Sequence, residues 1–305
     1  MFKNETYLII LYYKYFFIDE PEKFKNEQFD YCNKLGLLGR IIVSKEGING
    51  TLSGSEKNIN KYIKYMKKSD FGYDIDFKKD FFHKHVFSKL SVKVRDEIVS
   101  LKLQEDIFPY KDKQYYLKPK EFFNILNQND VFVLDVRNNY EYNLGHFRNA
   151  INPDIENFRF LPNWIEENLH LMKNKKVLTY CTGGVRCEKI SCFLKKKGID
   201  EVYQLEGGII KYSQDKELKG ELFDGKMYVF DERISTEVNK QKHIIIGKDF
   251  FDQTPCERYI NCANPKCNKQ ILCSEENEDY FLGSCSKECR KDENNIYKTR
   301  KKRNI

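Results

Sequence analysis

The segment around Cys181 constrains this chain more than any other. A short apolar run, Lys176–Tyr180, leads directly into Cys181-Thr-Gly-Gly-Val-Arg186, and a helical pattern over Arg186–Lys197 follows, closed by Gly198. A buried strand that turns straight into a helix is the repeating unit of a parallel sheet, because parallel neighbours need a crossover between them. The surrounding sequence repeats the unit. Val131–Val136 (VFVLDV) is a continuous apolar run of the kind buried on both faces, and Val202–Leu205 is another. Lys120–Leu126 and Trp164–Met172 carry helical spacing. The expectation is an α/β fold with a central parallel, doubly wound sheet and flanking helices.

The loop also specifies chemistry. Backbone N–H groups of a tight strand-to-helix loop point inward, and the following helix aims its positive end at the same spot. Gly183 and Gly184 allow the curvature, and Arg186 adds a fixed positive charge. Such a site lowers a cysteine pKa and stabilises a thiolate, which makes Cys181 the candidate nucleophile and Thr182, Gly183, Gly184, Val185 and Arg186 its active-site loop. Four residues separate Cys181 from Arg186, fewer than the five of cysteine phosphatases. The shorter loop resembles the sulfurtransferases of the rhodanese superfamily, which carry a persulfide on this cysteine. Leu134-Asp-Val-Arg137 with Glu141-Tyr-Asn-Leu-Gly-His146 is similar to the early rhodanese signature, and Leu205-Glu-Gly-Gly-Ile209 to the late one. The resemblance runs from Lys118 to Leu222. Asp135, Arg137, Glu141 and His146 are expected to tie loops together by hydrogen bonds. Cys187 lies close enough in sequence to be a resolving thiol or simply a small apolar helix residue, and Cys192 reads as the latter.

The first hundred residues follow another pattern. Tyr7–Ile18 predicts a strand and Pro21–Leu35 a helix. Gly39–Ser44 and Gly50–Gly54 predict strands joined by a Lys45–Asn49 turn, Ser55–Lys68 a helix, and Tyr73–Phe77 and Val92–Val99 further strands. The order β-α-β-β-α-β predicts a ferredoxin-like α+β domain. The expected organisation is therefore an N-terminal domain at 1–100, a linker at 101–117, a rhodanese domain at 118–222 and a cysteine-rich region at 223–305 with a disordered basic tail from Lys298.

The protein is expected to be cytoplasmic, where disulfides are rare, so its ten cysteines, six of them between Cys256 and Cys289, point to chemistry or metal binding. No segment is long and apolar enough to span a bilayer, and the N-terminal apolar run lacks the features of a signal peptide. The spacing Cys256-x5-Cys262-x4-Cys267-x5-Cys273-x11-Cys285-x3-Cys289 offers one best tetrad, Cys262, Cys267, Cys285 and Cys289, with Cys256 and Cys273 as substitutes. A structural zinc ion, reduced thiols without metal, and another metal or cluster all remain open. The net charge of +7 favours an anionic partner. Arg40, Lys45, Lys57, Lys61, Lys64, Lys67 and Lys68 could serve RNA, or could be no more than a solvated face.

Taken together, Tyr180-Cys-Thr-Gly-Gly-Val-Arg-Cys-Glu-Lys189, Lys45-Glu-Gly-Ile-Asn49, Lys93-Val-Arg-Asp-Glu-Ile-Val99 and Val229-Phe-Asp-Glu-Arg233 resemble the bacterial tRNA uridine(34) hydroxylases, in the right order along nearly the whole chain. The resemblance implies oxygen-dependent conversion of uridine 34 to 5-hydroxyuridine, with Cys181 essential, molecular oxygen as co-substrate, an electron donor the sequence does not identify, and tRNA, at its anticodon region, as partner. No flavin or nicotinamide fingerprint is present, and no His/carboxylate triad announces non-haem iron. A persulfide-carrying sulfurtransferase would explain the loop but leave both flanking regions idle. A non-catalytic RNA-binding or redox protein would explain the charge but not the loop.

Overall fold

The computed structural model describes residues 6–103 and 107–299. Residues 300–305 of the basic tail, and 104–106 of the expected linker, lie outside the described residues. No helix among the described residues is long and apolar enough to cross a membrane.

The N-terminal unit contains β1 (Tyr7–Tyr15), α1 (Pro21–Lys34), β2 (Leu38–Ser44), β3 (Gly47–Ser55), α2 (Glu56–Lys67), β4 (Lys78–Phe82) and β5 (Leu90–Val94). The order β4-β1-β3-β2 with antiparallel neighbours is the ferredoxin-like arrangement, and β5 extends it in parallel beside β2. Proline at the first turn starts α1, where its missing N–H costs nothing. Ser55 caps α2 by accepting from the Asn58 N–H. Ile59, Tyr62 and Met66 bury the inner face of α2 against β1 and β3.

Three local expectations shift. The fourth strand is Lys78–Phe82, not Tyr73–Phe77: Ile75 and Phe77 cover the core from an irregular segment, while the more polar segment pairs with the edge of β1. The hairpin turn is only Lys45-Glu46, since Gly47 opens β3 at φ 144°, where a Cβ would meet the Lys14 carbonyl. The last strand ends at Val94, freeing the segment after it to reach the neighbouring domain.

The second unit comprises β6 (Tyr116–Leu117), α3 (Pro119–Leu126), β7 (Val131–Asp135), α4 (Asn139–Leu144), β8 (Gly145–Phe147), α5 (Leu161–Met172), β9 (Lys176–Tyr180), α6 (Val185–Lys196), β10 (Val202–Leu205) and α7 (Gly208–Gln214). The sheet β6-β10-β9-β7 is parallel throughout. Alternate residues serve two cores: Leu134 and Val177 pack with Ile190 and Leu194 on one face, Val133 and Leu178 with Leu205 and Ile209 on the other. The stretch expected to be a linker is partly structural, because Leu101 and Ile107 enter the first of these cores and Tyr116–Leu117 forms the edge strand.

The C-terminal region adds β11 (Phe223–Tyr228), β12 (Ser235–Glu237), β13 (Tyr259–Asn261), β14 (Gln270–Leu272), α8 (Glu275–Tyr280) and α9 (Lys287–Lys291). β11 pairs with β8, stitching this region to the central unit.

The two larger units meet along α6. Every residue from Arg186 to Leu194 is buried. The Lys189 ammonium lies 2.9 Å from Glu46 and 2.8 Å from Glu97, and donates to the Val99 carbonyl. Glu188 accepts from the hydroxyls of Tyr13 (2.9 Å) and Tyr116 (3.1 Å) and from the Gln204 amide (3.2 Å). Tyr15 donates to the Val185 carbonyl. Removing Lys189 would strand two carboxylates at this interface. Lys189→Ala is expected to lower stability by roughly 3 kcal/mol in denaturant unfolding, whereas Lys67→Ala on the exposed side of α2 should stay within about 0.5 kcal/mol. Equal small effects would show that the buried ion cluster does not hold the units together.

Candidate active site and cysteine cluster

Cys181 lies at the end of β9, fully buried. The loop curves because Gly184 adopts φ 106°. The glycines have a second use. A Cβ on Gly183 would approach Leu11 to 2.6 Å, and one on Gly184 would meet the Tyr13 hydroxyl at 2.7 Å, so β1 of the N-terminal unit closes directly over the loop. Gly208 (φ 66°) leaves room on the other side, where the Ile209 N–H donates to the Cys181 carbonyl.

Burial alone would push the Cys181 thiol up. That penalty is outweighed by a hydrogen bond from the Cys187 thiol, the Arg186 charge and the N–H groups of Arg186 and Gly184, and the pKa falls to about 5. The Gly184 N–H is 3.1 Å from Sγ. Cys187 moves the opposite way, raised by its own burial and by donating to Cys181, so the two thiols differ in role: one ionised, one protonated.

Arg186 does not have a free fork. Its guanidinium binds Glu141 in two bonds of 2.6 and 2.7 Å, and Thr182 bridges the pair at 3.3 Å. Arg186 therefore acts on Cys181 through its field, and Glu141 holds it in place. Asp135 and Arg137 form a separate buried pair beside the loop. Arg137 donates to both Asp135 oxygens and to the Gly145 carbonyl, and Tyr180 donates to Asp135 at 2.7 Å, which locks the ends of β7 and β9 to β8. His146 stacks on Tyr142 at 3.7 Å and donates through Nδ1 to the Tyr142 carbonyl. Cys192 takes a hydrogen bond from Gln114, and burial raises its pKa to about 12.

A cleft of about 640 Å³ opens onto Cys181. This is the size of a small-molecule site. The loop forms one wall, and the N-terminal unit supplies the other through Arg40, Asn49 and the segment Arg95–Ser100. Phe230 also lines the cleft, 46% exposed, with the Arg186 guanidinium 5.9 Å from its ring centroid. Of the seven N-terminal cations proposed for RNA, Arg40 lines this cleft, while the α2 lysines are exposed on that helix. Glu188, Lys189 and Phe230 carry no periodic or spacing signal that marks them. Glu188 and Lys189 look like the solvated side of a helix until β1 and the Arg95–Val99 segment are placed against them.

The Cys262, Cys267, Cys285 and Cys289 sulfurs all lie within 4.8 Å of one another, a group that can hold a metal ion. Four thiolates at tetrahedral spacing about 2.3 Å from a common centre would have similar separations. Cys256 and Cys273 are excluded from this group: Cys256 packs against Leu144 and Leu272, and Cys273 against Ile260 and Ile271.

The electrostatics of Cys181 give a direct test. Its folded pKa lies below that of a free thiol, so the thiolate's contribution to stability is complete above about pH 8.5 and is lost as pH falls through the folded value. The ultraviolet thiolate absorbance missing from Cys181→Ser is expected to titrate near pH 5. Cys187→Ala should move that midpoint upward. A midpoint in the ordinary thiol range would show that the loop does not stabilise the anion.

Three family models cover the chain: the UPF0176 acylphosphatase like domain over residues 7–98, the rhodanese-like domain over 118–215 and the rhodanase C-terminal model over 224–290. A tRNA uridine(34) hydroxylase of Onion yellows phytoplasma is 57% identical over 96% of this chain and 96% of its own. The protein of that name from Oceanobacillus iheyensis is 52% identical over 97% of this chain and 92% of its own. That from Bacillus licheniformis is 54% identical over 97% and 91%. With the cysteine loop, the two flanking units and this level of identity along almost its full length, the chain belongs to the tRNA uridine(34) hydroxylase family.

Proposed function

We propose that this protein hydroxylates uridine 34 of tRNA to 5-hydroxyuridine, with Cys181 as the essential nucleophile. The observation that carries the reading is Cys181 lining a cleft of about 640 Å³, its sulfur 3.1 Å from the Gly184 N–H, in a chain 57% identical to a tRNA uridine(34) hydroxylase. The same reading divides the chain into an N-terminal unit (1–100), a connection (101–117), the rhodanese domain (118–222) and the cysteine-rich region (223–305), supported by matches to family models at 7–98, 118–215 and 224–290. Its site of action would be the cytoplasm, where tRNA is modified.

The residues suggest a route. The Cys181 thiolate adds to C6 of uracil, and the electron pair of the C5–C6 double bond moves onto C5 and O4. C5 is then the carbon that the oxidant attacks. Molecular oxygen, with two electrons and two protons from a reductant, supplies one hydroxyl to C5 and leaves as one water. Loss of the C5 proton expels the thiolate and restores the double bond. Arg186, held by Glu141, keeps the sulfur anionic between turnovers, and Cys187 returns its hydrogen bond when the sulfur is released. Thr182, Gly183, Gly184 and Val185 shape the loop, while Asp135 and Arg137 brace it from behind.

We further propose that the four-cysteine group binds zinc as a structural ion. The donor set is all sulfur and lies remote in sequence from Cys181, which suits a closed tetrahedral site.

Nucleosides from tRNA incubated with the protein, oxygen and a reductant are expected to include 5-hydroxyuridine by mass spectrometry, and Cys181→Ala should yield none. A Cys181→Ala protein of full activity would sink the nucleophile. Thiosulfate turnover independent of tRNA, without any new nucleoside, would instead indicate sulfur transfer. Metal analysis of the purified protein should find about one zinc per chain, lost together with thermal stability in Cys262→Ser/Cys285→Ser. Metal-free protein with the same unfolding temperature would refute the zinc assignment.

A further inference from the structure

A second groove, of about 1130 Å³, runs from α4 to the β13–β14 hairpin. It adjoins the Cys181 cleft, because Phe230 lines both. We propose that this groove carries the single-stranded RNA flanking the target uridine, which makes the cysteine-rich region an RNA-contacting module. The inference rests on the hydroxylase reading above and deepens it by naming the surface.

Three features fit that occupant. The first is exposed aromatic surface at separate points of one channel: Phe230 is 46% exposed and Phe250 is 42% exposed. Single-stranded RNA offers unpaired bases that stack on such rings, whatever their sequence. The second is charge. Lys248 and Lys269 are exposed and line the groove, with no ion pair to either among the described residues, and the Lys269 ammonium stands 5.3 Å from the Phe250 ring centroid. An aromatic platform with an ammonium at its face presents a stacking surface beside a phosphate partner. The third is amide lining: Asn143, Gln253 and Gln270 offer donors and acceptors to base edges, against one carboxylate, Glu156.

The four-cysteine group gives this surface a fixed shape. The loop that carries Cys262 and Cys267 closes when the Cys262 N–H donates to the Lys269 carbonyl at 2.8 Å. Lys269 is thereby set immediately before β14, where it lines the channel. The cysteine-rich region would thus hold its cation and ring in position for the strand leaving the active cleft, whereas the α2 lysines lie on a different element that lines neither cavity.

The test is fluorescence anisotropy of a labelled anticodon stem-loop RNA titrated with the full-length protein. Phe250→Ala is expected to weaken binding about 5-fold or more, the range found when one stacking ring is removed, and Phe250→Tyr should restore it. Lys248→Gln/Lys269→Gln should reduce the slope of log K against log salt by about 1.4, as two lost phosphate contacts on a single strand require. Lys61→Gln/Lys64→Gln on α2 should leave both quantities unchanged. Circular dichroism and metal content are compared in every variant, so that unfolding is recognised. If the groove variants bind as wild type does, while wild type still forms 5-hydroxyuridine, the groove proposal is overturned and the hydroxylase reading stands. If wild type neither binds the stem-loop nor modifies tRNA, the reading itself fails and the groove proposal with it.

Discussion

Burying a carboxylate and an ammonium on adjacent positions of one helix is costly unless each meets partners, and here all the partners come from distant parts of the chain. Lys189 is met by Glu46 from the β2–β3 turn and by Glu97 from the segment after β5. Glu188 is met by Tyr13 of β1, Tyr116 of β6 and Gln204 of β10. Desolvation raises the pKa of Glu188 even so, which shows how much of its charge stabilisation these donors must supply. Helix α6 begins at the nucleophile's own loop. The requirement that pairs these groups therefore also fixes where the N-terminal sheet lies over Cys181.

That placement governs the cysteine. A thiolate in a dry site is unfavourable, and the loop offsets the cost with short-range donors rather than with solvent. Leu11 and Tyr13 exclude water from one side of the loop. The Arg186 guanidinium supplies a full positive charge and is itself neutralised by Glu141, so the pair contributes a directed field instead of a mobile cation. The same closure leaves an approach to the loop, the cleft whose walls belong to both units. Neither unit alone would form it.

Phe230 joins the remaining part of the molecule to this site. It follows β11, whose pairing with β8 attaches the C-terminal region to the central sheet. The adjoining Asp231 and Arg233 form an ion pair, and Arg233 also reaches Asp80 of β4 at 2.5 Å, so the segment is braced against the N-terminal unit. The Phe230 ring lines both the Cys181 cleft and the groove beside the β13–β14 hairpin.

Much of this was legible in the residues themselves. Continuous apolar runs at Val131–Val136 and Lys176–Tyr180 mark buried parallel strands, because such strands have no solvated face. The glycines, cysteine and arginine of the loop mark an anion cradle by chemistry and spacing alone. The tetrad Cys262, Cys267, Cys285 and Cys289 was legible as pairs with a long separation, and it is the group whose sulfurs converge. The edge strand Lys78–Phe82 was not legible, since an edge strand needs hydrogen bonds to its neighbour and little apolar pattern. Nor were Glu188 and Lys189, which look solvated on a helix of unknown surroundings. Local sequence determines which groups can ionise, curve or pair within a few residues. Only the tertiary structure decided which distant partners they meet, because the burial that shifts a pKa or makes an ion pair matter is a property of how the units pack.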